Sequence, residues 1–414
     1  MGHSLSSADR DGTTARRRLT PELIAGGVLA LLTFVAYWLT GPTEPGSDSY
    51  VPLARTFLDG RLSIPVDRPW LELVPAPDGG QYSPFPPVPG VLLMPVVAVA
   101  SLLGAGEPAS NGYTAVAGTL NVALVFWLLG RIAVAFVPRQ VLTIGFAFTT
   151  HWWVAGMAGT HLWAQTLGVT FTLLALSLAV DRRWPLLAGL ALGLAAGSRL
   201  PMGLALPLLL AMYAQPISRW RPTRDHLALL AGVAIVALPI AAYNVARFAS
   251  PIDFGYARIP SGEFGFVTDE PWFRHGLLSP LYIPRHLYAM LLQSFEWVDV
   301  VPFLRPSITG LSLTLSAPFL FFAARAWSVR RERPLVPVAV LSVGLILLPD
   351  VLHGSWGFAQ FGYRFALDVA PVLVLLLGWA YRDRATAWLV AAVVLGVVVH
   401  AYGIYVINVL EFVS

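Results

Sequence analysis

The chain has 414 residues, of which 56% are hydrophobic and only 12% are charged, and its mean hydropathy is +0.67. Soluble domains carry about 25% charged residues, so this composition excludes an ordinary globular protein and predicts a membrane protein. The formal net charge is +4, and all 27 basic residues other than histidine are arginines because lysine is absent. Cysteine is also absent, which excludes disulfides and thiol chemistry.

Apolar runs follow one another along most of the chain. A helix needs about 20 predominantly apolar residues to cross the hydrocarbon core of a bilayer. Six runs mostly approach that length, at 23–39, 113–129, 141–154, 162–180, 227–246 and 385–407. Five shorter runs are further candidates, at 185–197, 201–213, 311–326, 335–348 and 365–379. The sequence therefore predicts an all-α polytopic membrane protein with about eleven transmembrane helices.

The first apolar run follows three consecutive arginines, Arg16 to Arg18. It is too long for the apolar part of a secretory signal, and no small-residue cleavage site is evident before Thr43. We therefore expect residues 1–19 to form a cytoplasmic tail and residues 20–40 to stay as the first transmembrane helix.

Arginine placement predicts the orientation, because short cytoplasmic loops of membrane proteins carry an excess of basic residues. With the N-terminus in the cytoplasm, 17 of the 27 arginines fall inside. Two long segments, 41–111 and 247–307, then become outer loops, and residues 112–246 and 308–414 form two transmembrane bundles. The ten outer arginines are Arg55, Arg61, Arg68, Arg199, Arg247, Arg258, Arg274, Arg285, Arg305 and Arg364.

This orientation requires that the apolar stretch from Val88 to Leu103 does not cross the membrane. The stretch follows a proline cluster and ends in a Gly-Ala-Gly segment, which favours a re-entrant or interfacial element. If it did cross, the later loops would change sides and the arginine pattern would invert.

Amphipathic helices are predicted in both outer loops. In the first loop, apolar residues recur at helical spacing from Tyr50 to Leu58, with Ser49 at the N-cap and Pro52 in the first turn. In the second loop, residues 285–297 are apolar on one face. Aromatic density of this kind is typical of a membrane interface.

Three patterns in the first loop carry a resemblance to a known family. Asp48 lies just after the first span in Gly46-Ser47-Asp48-Ser49-Tyr50, and the patterns that follow are Tyr50, Ala54, Gly60, Arg61 and Leu62, and then Tyr82-Ser83-Pro84-Phe85-Pro86-Pro87. In this order they resemble polytopic glycosyltransferases of the GT-C fold, which include protein O-mannosyltransferase-like and lipid A aminoarabinose transferase-like enzymes. Residues 354–371 match by pattern as well.

The resemblance implies an inverting glycosyltransferase at the outer face of a bacterial cytoplasmic membrane, with a polyprenyl-phosphate sugar as donor and Asp48 as the general base. The acceptor would be an extracytoplasmic glycan, lipid or protein, and no nucleic acid is implied. Arginines suit the phosphate of the leaving group, and the candidates are Arg364, Arg199 and Arg247. The wider substrate pocket is predicted to include Tyr50, Arg55, Glu72, Tyr82, His161, Arg258, His353 and Tyr363.

Each of these residues also has a purely structural interpretation. Asp48 is suited to capping the helix that follows it. Arg364 is suited either to extend its charge to the lipid headgroups or to pair with Asp368 one turn later. Arg199 lies in a hairpin between two apolar runs, where it is either functional or simply exposed at a tight turn. His161, four residues before Gln165, is suited to packing or to an ordinary hydrogen bond.

No cofactor is firmly predicted, and a divalent metal ion stays open but is disfavoured by two substitutions. The resembling family often has a second acidic residue beside the first-loop aspartate, where this chain has Ser49, and an aspartate in the next outer loop, where it has Thr160-His161. Both changes remove carboxylate ligands that a hard divalent cation prefers. No histidine pair has zinc-site spacing, and no glycine-rich phosphate loop is present.

A transporter or flippase of a lipid-linked saccharide is the alternative function. It would need polar residues in the centres of the spans, and the apolar runs are expected to be poor in them. A third interpretation, a non-catalytic assembly partner, would leave the outer loops without a pocket.

Overall fold

The computed structural model describes residues 21–43, 48–65, 68, 71–214 and 221–410. The predicted cytoplasmic tail and the Gly46-Ser47 part of the first motif lie outside these ranges.

Helices make up nearly all of the regular structure. The α-helices are α1 (Pro21–Thr40), α2 (Tyr50–Leu58), α3 (Val88–Leu102), α4 (Ser110–Arg131), α5 (Phe136–Phe146), α6 (Trp152–Met157), α7 (Thr160–Val180), α8 (Pro185–Ser198), α9 (Leu206–Tyr213), α10 (Arg224–Phe248), α11 (Ile283–Leu291), α12 (Leu313–Ser316), α13 (Val336–Leu352), α14 (Ala366–Ala380) and α15 (Ala387–Asn408). A π-helical turn (Ala147–His151) joins α5 to α6, and 3₁₀ segments occur at Leu200–Ala205, Tyr256–Arg258, Val267–Asp269, Pro271–Phe273, Pro280–Tyr282 and Pro318–Val329.

The expectation of an all-α multi-pass membrane protein is confirmed. Within the described ranges, five helices are long and apolar enough to cross a membrane: α1, α4, α7, α10 and α15. Each of the eleven predicted apolar runs overlaps a helical segment in these ranges. The run at 141–154 is built from α5, the π-helical turn and α6, and the run at 311–326 from α12 and a 3₁₀ segment.

Burial separates central helices from peripheral ones. The most apolar window of α7 is 78% buried, whereas those of α1 and α10 are each 17% buried. Leucines on α1, such as Leu31 and Leu39, are 63% and 75% exposed. Because apolar faces that run the length of a helix are favoured in lipid over water, α1 and α10 present their outer faces to lipid.

The first long loop leaves and rejoins the bundle at one place. The main-chain N–H of Asn111, in the first turn of α4, donates to the carbonyl oxygen of Pro42 at 3.2 Å. The chain between them therefore starts and ends at the same end of the bundle, and α3 within it does not carry the chain to the other end. At the opposite end, Arg139 pairs with Glu22 at 2.6 Å, and α1, with 20 residues, separates the two ends by about 30 Å.

The strands in the described ranges are two-residue pieces of three antiparallel hairpins. They are β1 (Val74–Pro75) with β2 (Gln81–Tyr82), β3 (Pro260–Ser261) with β4 (Gly265–Phe266), and β5 (Glu296–Trp297) with β6 (Leu304–Arg305). The prediction of one helix over 285–297 is wrong in its second half, because α11 ends at Leu291 and Trp297 lies in β5.

The amphipathic helix of the first loop, α2, packs its apolar face against α3. Tyr50 and Leu53 are fully buried, and a Cβ atom built at Gly90 would lie 2.9 Å from Leu53 Cδ2. A side chain at position 90 would therefore push α3 away from α2. This contact holds the first loop, with Asp48 at the start of α2, against the end of the bundle.

Candidate functional site

A cavity of about 380 Å³ opens at the end of the bundle where the first loop joins. Its walls come from the first loop, the start of α7, the second loop and the turn before α14. The polar lining consists of Glu72, Thr160, His161, Tyr256, Ser355 and Arg364, and the apolar lining includes Leu71, Phe85, Met157, Leu162 and Phe358. A mixed pocket of this size suits a small ligand with polar groups at a few fixed positions.

Glu72 and His161 form a hydrogen-bonded pair on one side of the cavity. His161 Nε2 lies 3.0 Å from Glu72 Oε2, so His161 bonds across to the first loop rather than to Gln165 on its own helix. The ring of Phe85 packs edge-on against the His161 ring, with centroids 4.9 Å apart. Although burial opposes ionisation, the interactions with His161 and the positive charge of Arg364 lower the pKa of Glu72, which favours an ionised carboxylate.

The turn before α7 brings the backbone close to this pair. Ala158 and Gly159 both have positive φ, 50° and 105°. The left-handed region is unfavourable for alanine, and such strained residues cluster at functional sites. Both residues line the cavity.

Arg364 lines the same cavity without a carboxylate partner. In the described part of the chain, no acidic oxygen lies within 4.0 Å of its guanidinium group, which lies over the Phe365 ring at 5.4 Å. Its main-chain oxygen accepts a hydrogen bond of 3.0 Å from Gln165 Nε2. Burial, and next the positive charge of Arg199, lower the pKa of Arg364. The cavity wall therefore holds a positive charge that an anionic ligand would neutralise.

Arg199 has a different environment, because it is paired with two aspartates. We call Arg199, Asp350 and Asp368 the carboxylate cluster. Arg199 Nε donates to Asp368 Oδ2 at 2.7 Å and a terminal nitrogen donates to Asp350 Oδ1 at 2.9 Å. Asp350 and Asp368 are 3% and 0% exposed. The interpretation of Arg199 as an exposed turn residue is therefore wrong. The pairing of Arg364 with Asp368 is wrong as well, because Asp368 bonds Arg199.

Gln165 connects the carboxylate cluster to the cavity wall. Its side-chain nitrogen donates to Asp368 Oδ1 at 3.1 Å as well as to the main-chain oxygen of Arg364. Gln165 is 1% exposed. One buried amide on α7 thus fixes both the cluster and the backbone that carries Arg364.

Asp48 lies behind the cavity wall rather than on it. Its Oδ1 accepts from the main-chain N–H of Tyr50 at 2.8 Å, and its Oδ2 accepts from the hydroxyl of Tyr113 at 2.7 Å. The carboxylate is 3% exposed, and burial raises its pKa to about 6 even though these two hydrogen bonds act in the opposite direction. The next residue, Ser49, donates its N–H at 2.8 Å to the hydroxyl of Thr160, which lines the cavity.

Asp48 does act as a cap for α2, as its structural interpretation predicts. Ser49 occupies the N-cap position of α2, but its side chain makes no capping hydrogen bond. Asp48 supplies the acceptor instead, through the bond from the Tyr50 N–H. Tyr50 itself is fully buried against Phe85, and its hydroxyl has no hydrogen-bond partner among the described residues.

Arg247 does not reach the cavity. Its guanidinium donates to the Ser83 carbonyl oxygen at 2.5 Å and to Asn244 Oδ1 at 2.8 Å, and it stacks over the Tyr243 ring at 3.7 Å. Since Arg247 is only 7% exposed, these contacts use most of its donors. It ties the first loop to the end of α10.

Three further predicted pocket residues lie away from the cavity lining. Tyr82 packs edge-on against Phe248, with ring centroids 5.6 Å apart. Arg258 pairs with Asp253 at 2.8 Å on the surface, and Arg55 is exposed on α2.

His353 and Tyr363 form a supporting layer instead. His286 joins them, with Nδ1 2.8 Å from the Tyr363 hydroxyl and Nε2 2.8 Å from the His353 carbonyl oxygen. The His353 ring packs against Tyr256, which lines the cavity, with centroids 5.6 Å apart. Burial lowers the pKa of His353 to about 4, so this histidine is neutral at pH 7.

Sequence reasoning missed the carboxylate cluster and the contact of Tyr113 with Asp48. A signal for the cluster was present, because Asp350 and Asp368 both lie inside apolar helices, α13 and α14. Ionisable residues in such helices are costly to bury and mark pairs or functional sites. No comparable signal identifies Tyr113.

The expectation that span centres are poor in polar residues is wrong. Asn121, in the middle of α4, and His151, at the end of the π-helical turn, are buried in the bundle, with Asn121 Nδ2 3.0 Å from His151 Nε2. The same amide donates to the Thr166 carbonyl oxygen at 3.0 Å. These groups bond to one another or to the main chain, which is how polar groups are stabilised in an apolar interior.

In the part of the chain that the structure describes, no group of three or more histidine, aspartate or glutamate side chains is placed to hold a metal ion. Glu72 and His161 are the nearest approach to such a group at the cavity. The expectation of a metal-independent site stays a prediction.

Comparison with solved structures identifies the fold. The chain superposes on the crystal structure of ArnT from Cupriavidus metallidurans bound to undecaprenyl phosphate with a TM-score of 0.55 over 95% of its own length. The chain has the GT-C fold. The two sequences are 16% identical, and the chain spans 66% of the length of ArnT, so the likeness concerns architecture. The GT-C expectation from the first-loop patterns is thereby confirmed at the level of fold.

No protein-family model matches the chain, and no curated protein matches it significantly by sequence. The GT-C fold is thus recognised from the arrangement of helices rather than from sequence identity. Residue roles must come from the geometry of the cavity itself.

Proposed function

We propose that the protein is a membrane-embedded, inverting glycosyltransferase that transfers a sugar from a polyprenyl-phosphate donor to an extracytoplasmic acceptor glycan, lipid or protein. The observation that carries the proposal is a cavity lined by Arg364, which has no carboxylate partner among the described residues, with the buried, weakly acidic carboxylate of Asp48 behind the wall next to Thr160. The GT-C fold and the undecaprenyl phosphate bound to ArnT support a polyprenyl-phosphate donor.

Arg364 is the proposed ligand of the donor phosphate. As the sugar leaves, negative charge grows on the phosphate oxygen, and a guanidinium group stabilises it by charge-assisted hydrogen bonds. Arg364 is suited to this role because no carboxylate neutralises it in the described ranges. Arg199 and Arg247 are poorer candidates because their donors already bond to protein oxygens.

Asp48 is the proposed general base. The acceptor oxygen forms a bond to the anomeric carbon, the bond from that carbon to the phosphate oxygen breaks, and the hydroxyl proton goes to Asp48. A carboxylate whose pKa is raised to about 6 is a stronger base than an ordinary aspartate and is still ionised at pH 7. Attack opposite to the leaving phosphate gives inversion at the anomeric carbon.

Glu72 is the competing carboxylate because it lies directly on the cavity wall. Its pKa is lowered, so it is a weaker base than Asp48. We propose that Glu72 instead orients His161 and accepts hydrogen bonds from sugar hydroxyls.

The reaction requires access from the cavity to Asp48. The link runs through Thr160, whose hydroxyl accepts the Ser49 N–H, and we propose that the acceptor reaches the carboxylate by displacing the first loop at this contact. This proposal places the chemistry on the outer side of the membrane, with the N-terminus in the cytoplasm.

Substitution of the two carboxylates tests the assignment. Asp48→Asn keeps the shape and the acceptor for the Tyr50 N–H but removes the base, so sugar transfer from a polyprenyl-phosphate donor should fall by about 10²–10⁴-fold. Glu72→Gln is the matched control and should lose less activity. Transfer is measured with purified protein by mass spectrometry of the donor lipid, after size-exclusion chromatography has established that each variant is folded.

Near-normal turnover in Asp48→Asn together with loss in Glu72→Gln would move the base to Glu72. A different outcome would favour the alternative function. If the wild-type protein consumes no polyprenyl-phosphate sugar but moves a lipid-linked saccharide across vesicle membranes, the protein is a flippase.

A further inference from the structure

A second cavity, of about 270 Å³, lies at the other end of the bundle. It forms between the 3₁₀ segment Pro318–Val329, the start of the link to α13, and the turn between α14 and α15. The N–H of Ala135 donates to the Arg382 carbonyl oxygen in that turn at 2.7 Å, so the cavity lies beside the end of α4. Arg131, the last residue of α4, pairs with Asp181 just after α7, whereas the first cavity lies where α7 begins.

Arginines dominate the charged lining of this cavity. Four of them, Arg325, Arg333, Arg382 and Arg384, are accompanied by two acidic residues, Glu332 and Asp383. Four positive and two negative side chains leave a formal charge of +2 in one concave site. The cavity of about 270 Å³ is many times the roughly 10–15 Å³ needed to hold one water, and it has room for a phosphate group with a small alcohol attached.

Two other arginines at this end are neutralised by carboxylates. Arg139 bonds Glu22, and Arg131 bonds Asp181. By contrast, none of the four cavity arginines forms an ion pair within 4.0 Å among residues 21–43, 48–65, 68, 71–214 and 221–410. A general excess of basic residues on one side of a membrane explains the number of arginines at this end. It does not explain why four of them line one cavity, where Arg325 lies over the Tyr381 ring at 5.5 Å and Arg382 Nε donates to the Ala133 carbonyl oxygen at 3.2 Å.

The neighbouring residues are typical of a lipid interface. Trp327 and Trp388 lie on the two elements that border the cavity and are 48% and 79% exposed. Exposed tryptophans settle at the level of lipid headgroups. The cavity arginines are therefore at the depth where phosphates of the bilayer lie.

We propose that this second cavity binds a phosphate group, and that the phosphate belongs to the headgroup of an anionic phospholipid. Guanidinium groups bind phosphate oxygens through paired charge-assisted hydrogen bonds, and basic pockets between transmembrane helices bind anionic headgroups. The site is separate from the cavity proposed for sugar transfer, and its occupancy does not depend on that activity.

Native mass spectrometry of the full-length chain in detergent tests the proposal with two lipid probes, phosphatidylglycerol and phosphatidylcholine. Wild-type protein should retain phosphatidylglycerol in preference to phosphatidylcholine. Arg333→Gln/Arg384→Gln, which removes two lining charges, should lower the phosphatidylglycerol adduct by at least about tenfold. The charge-matched control, Arg330→Gln/Arg331→Gln, removes two arginines from the same end outside the lining and should stay within about twofold of wild type.

Equal loss in both double variants, or equal retention of the two lipids by wild type, would overturn the proposal, because charge at this end rather than the cavity would then govern binding. Displacement of the adduct by millimolar inorganic phosphate would show that a soluble phosphate compound occupies the site and would overturn the lipid assignment. If the double variant does not fold, the single exposed change Arg384→Gln decides, with an expected loss of at least about threefold.

Discussion

Arg364 and Arg199 lie near the same cavity, yet their surroundings differ. Arg199 bonds two buried carboxylates at 2.9 and 2.7 Å, whereas Arg364 has no acidic oxygen within 4.0 Å in the described part of the chain. A buried charge that is fully paired contributes to folding specificity or to holding helices in place. An unpaired one at a cavity wall is costly in the free protein and is compensated when an anion binds. Pairing, rather than residue type, therefore separates the proposed binding residue from the structural one.

The largest effect that tests this comparison is expected from Arg364→Gln. Loss of the guanidinium group should lower kcat/KM for a polyprenyl-phosphate sugar by about 10²–10³-fold while thermal stability stays near that of wild type. Arg305→Gln, which breaks an exposed ion pair with Glu296 in the same outer loops, is the control and should keep normal activity. Equal activity in the two variants would remove Arg364 from the reaction.

Arg199→Gln should lower stability strongly and activity only moderately, the reverse of Arg364→Gln. Removal of one partner leaves two carboxylates in a buried site, which costs about 3–5 kcal/mol. We expect a large fall in the midpoint of thermal unfolding in detergent and in the yield of folded protein. Activity per folded molecule should fall less than in Arg364→Gln. Adding Asp350→Asn and Asp368→Asn to the same chain should restore part of the stability, because the uncompensated charges are then gone.

A smaller effect is expected from Tyr113→Phe. The Tyr113 hydroxyl stabilises ionised Asp48 and so opposes the rise in its pKa to about 6 that burial causes. Without that hydrogen bond the pKa of Asp48 rises further, and because Asp48 must be ionised to act as the proposed base, the acid limb of the pH–rate profile should move to higher pH. The rate at pH 8 should change less than the rate at pH 6. Tyr402→Phe, which removes a hydroxyl bonded to Leu304, should leave the profile in place.

The smallest effect is expected from a chelator. Transfer activity measured with and without excess EDTA should agree within about twofold, because the first-loop Asp48 lacks a neighbouring carboxylate of the kind that divalent cations prefer. A loss that added magnesium or manganese restores would assign a metal to the cavity, with Glu72 and His161 as the first residues to substitute.

The fold followed from the sequence because hydropathy is a local property. Each apolar run could be recognised without knowledge of its neighbours, and the GT-C arrangement was indicated by the order of features around Asp48 and Tyr82. The ends of elements were less predictable. The stretch after Leu291 becomes a β-hairpin because its pairing partner, Leu304–Arg305, supplies main-chain hydrogen bonds that apolar periodicity does not register.

The site was only partly predictable because its side chains meet across long separations. Arg199 and Asp368 are 169 positions apart, and Gln165 joins Asp368 from 203 positions away. No local pattern encodes such contacts. Arg247 illustrates the same limit, because its charge suggested a phosphate ligand while its guanidinium group is occupied by the Ser83 carbonyl oxygen and Asn244.

The hydrogen bond between Asn111 and Pro42 has a consequence for how such proteins can diversify. The bond, 3.2 Å long, joins the two ends of the first loop. The loop therefore starts and ends at the same place and does not affect the order in which the transmembrane helices follow one another. A domain-swap chimera joined at Pro42 and Asn111 should therefore exchange the proposed base Asp48 and the wall residue Glu72 together, as one unit, without changing the order of the transmembrane helices.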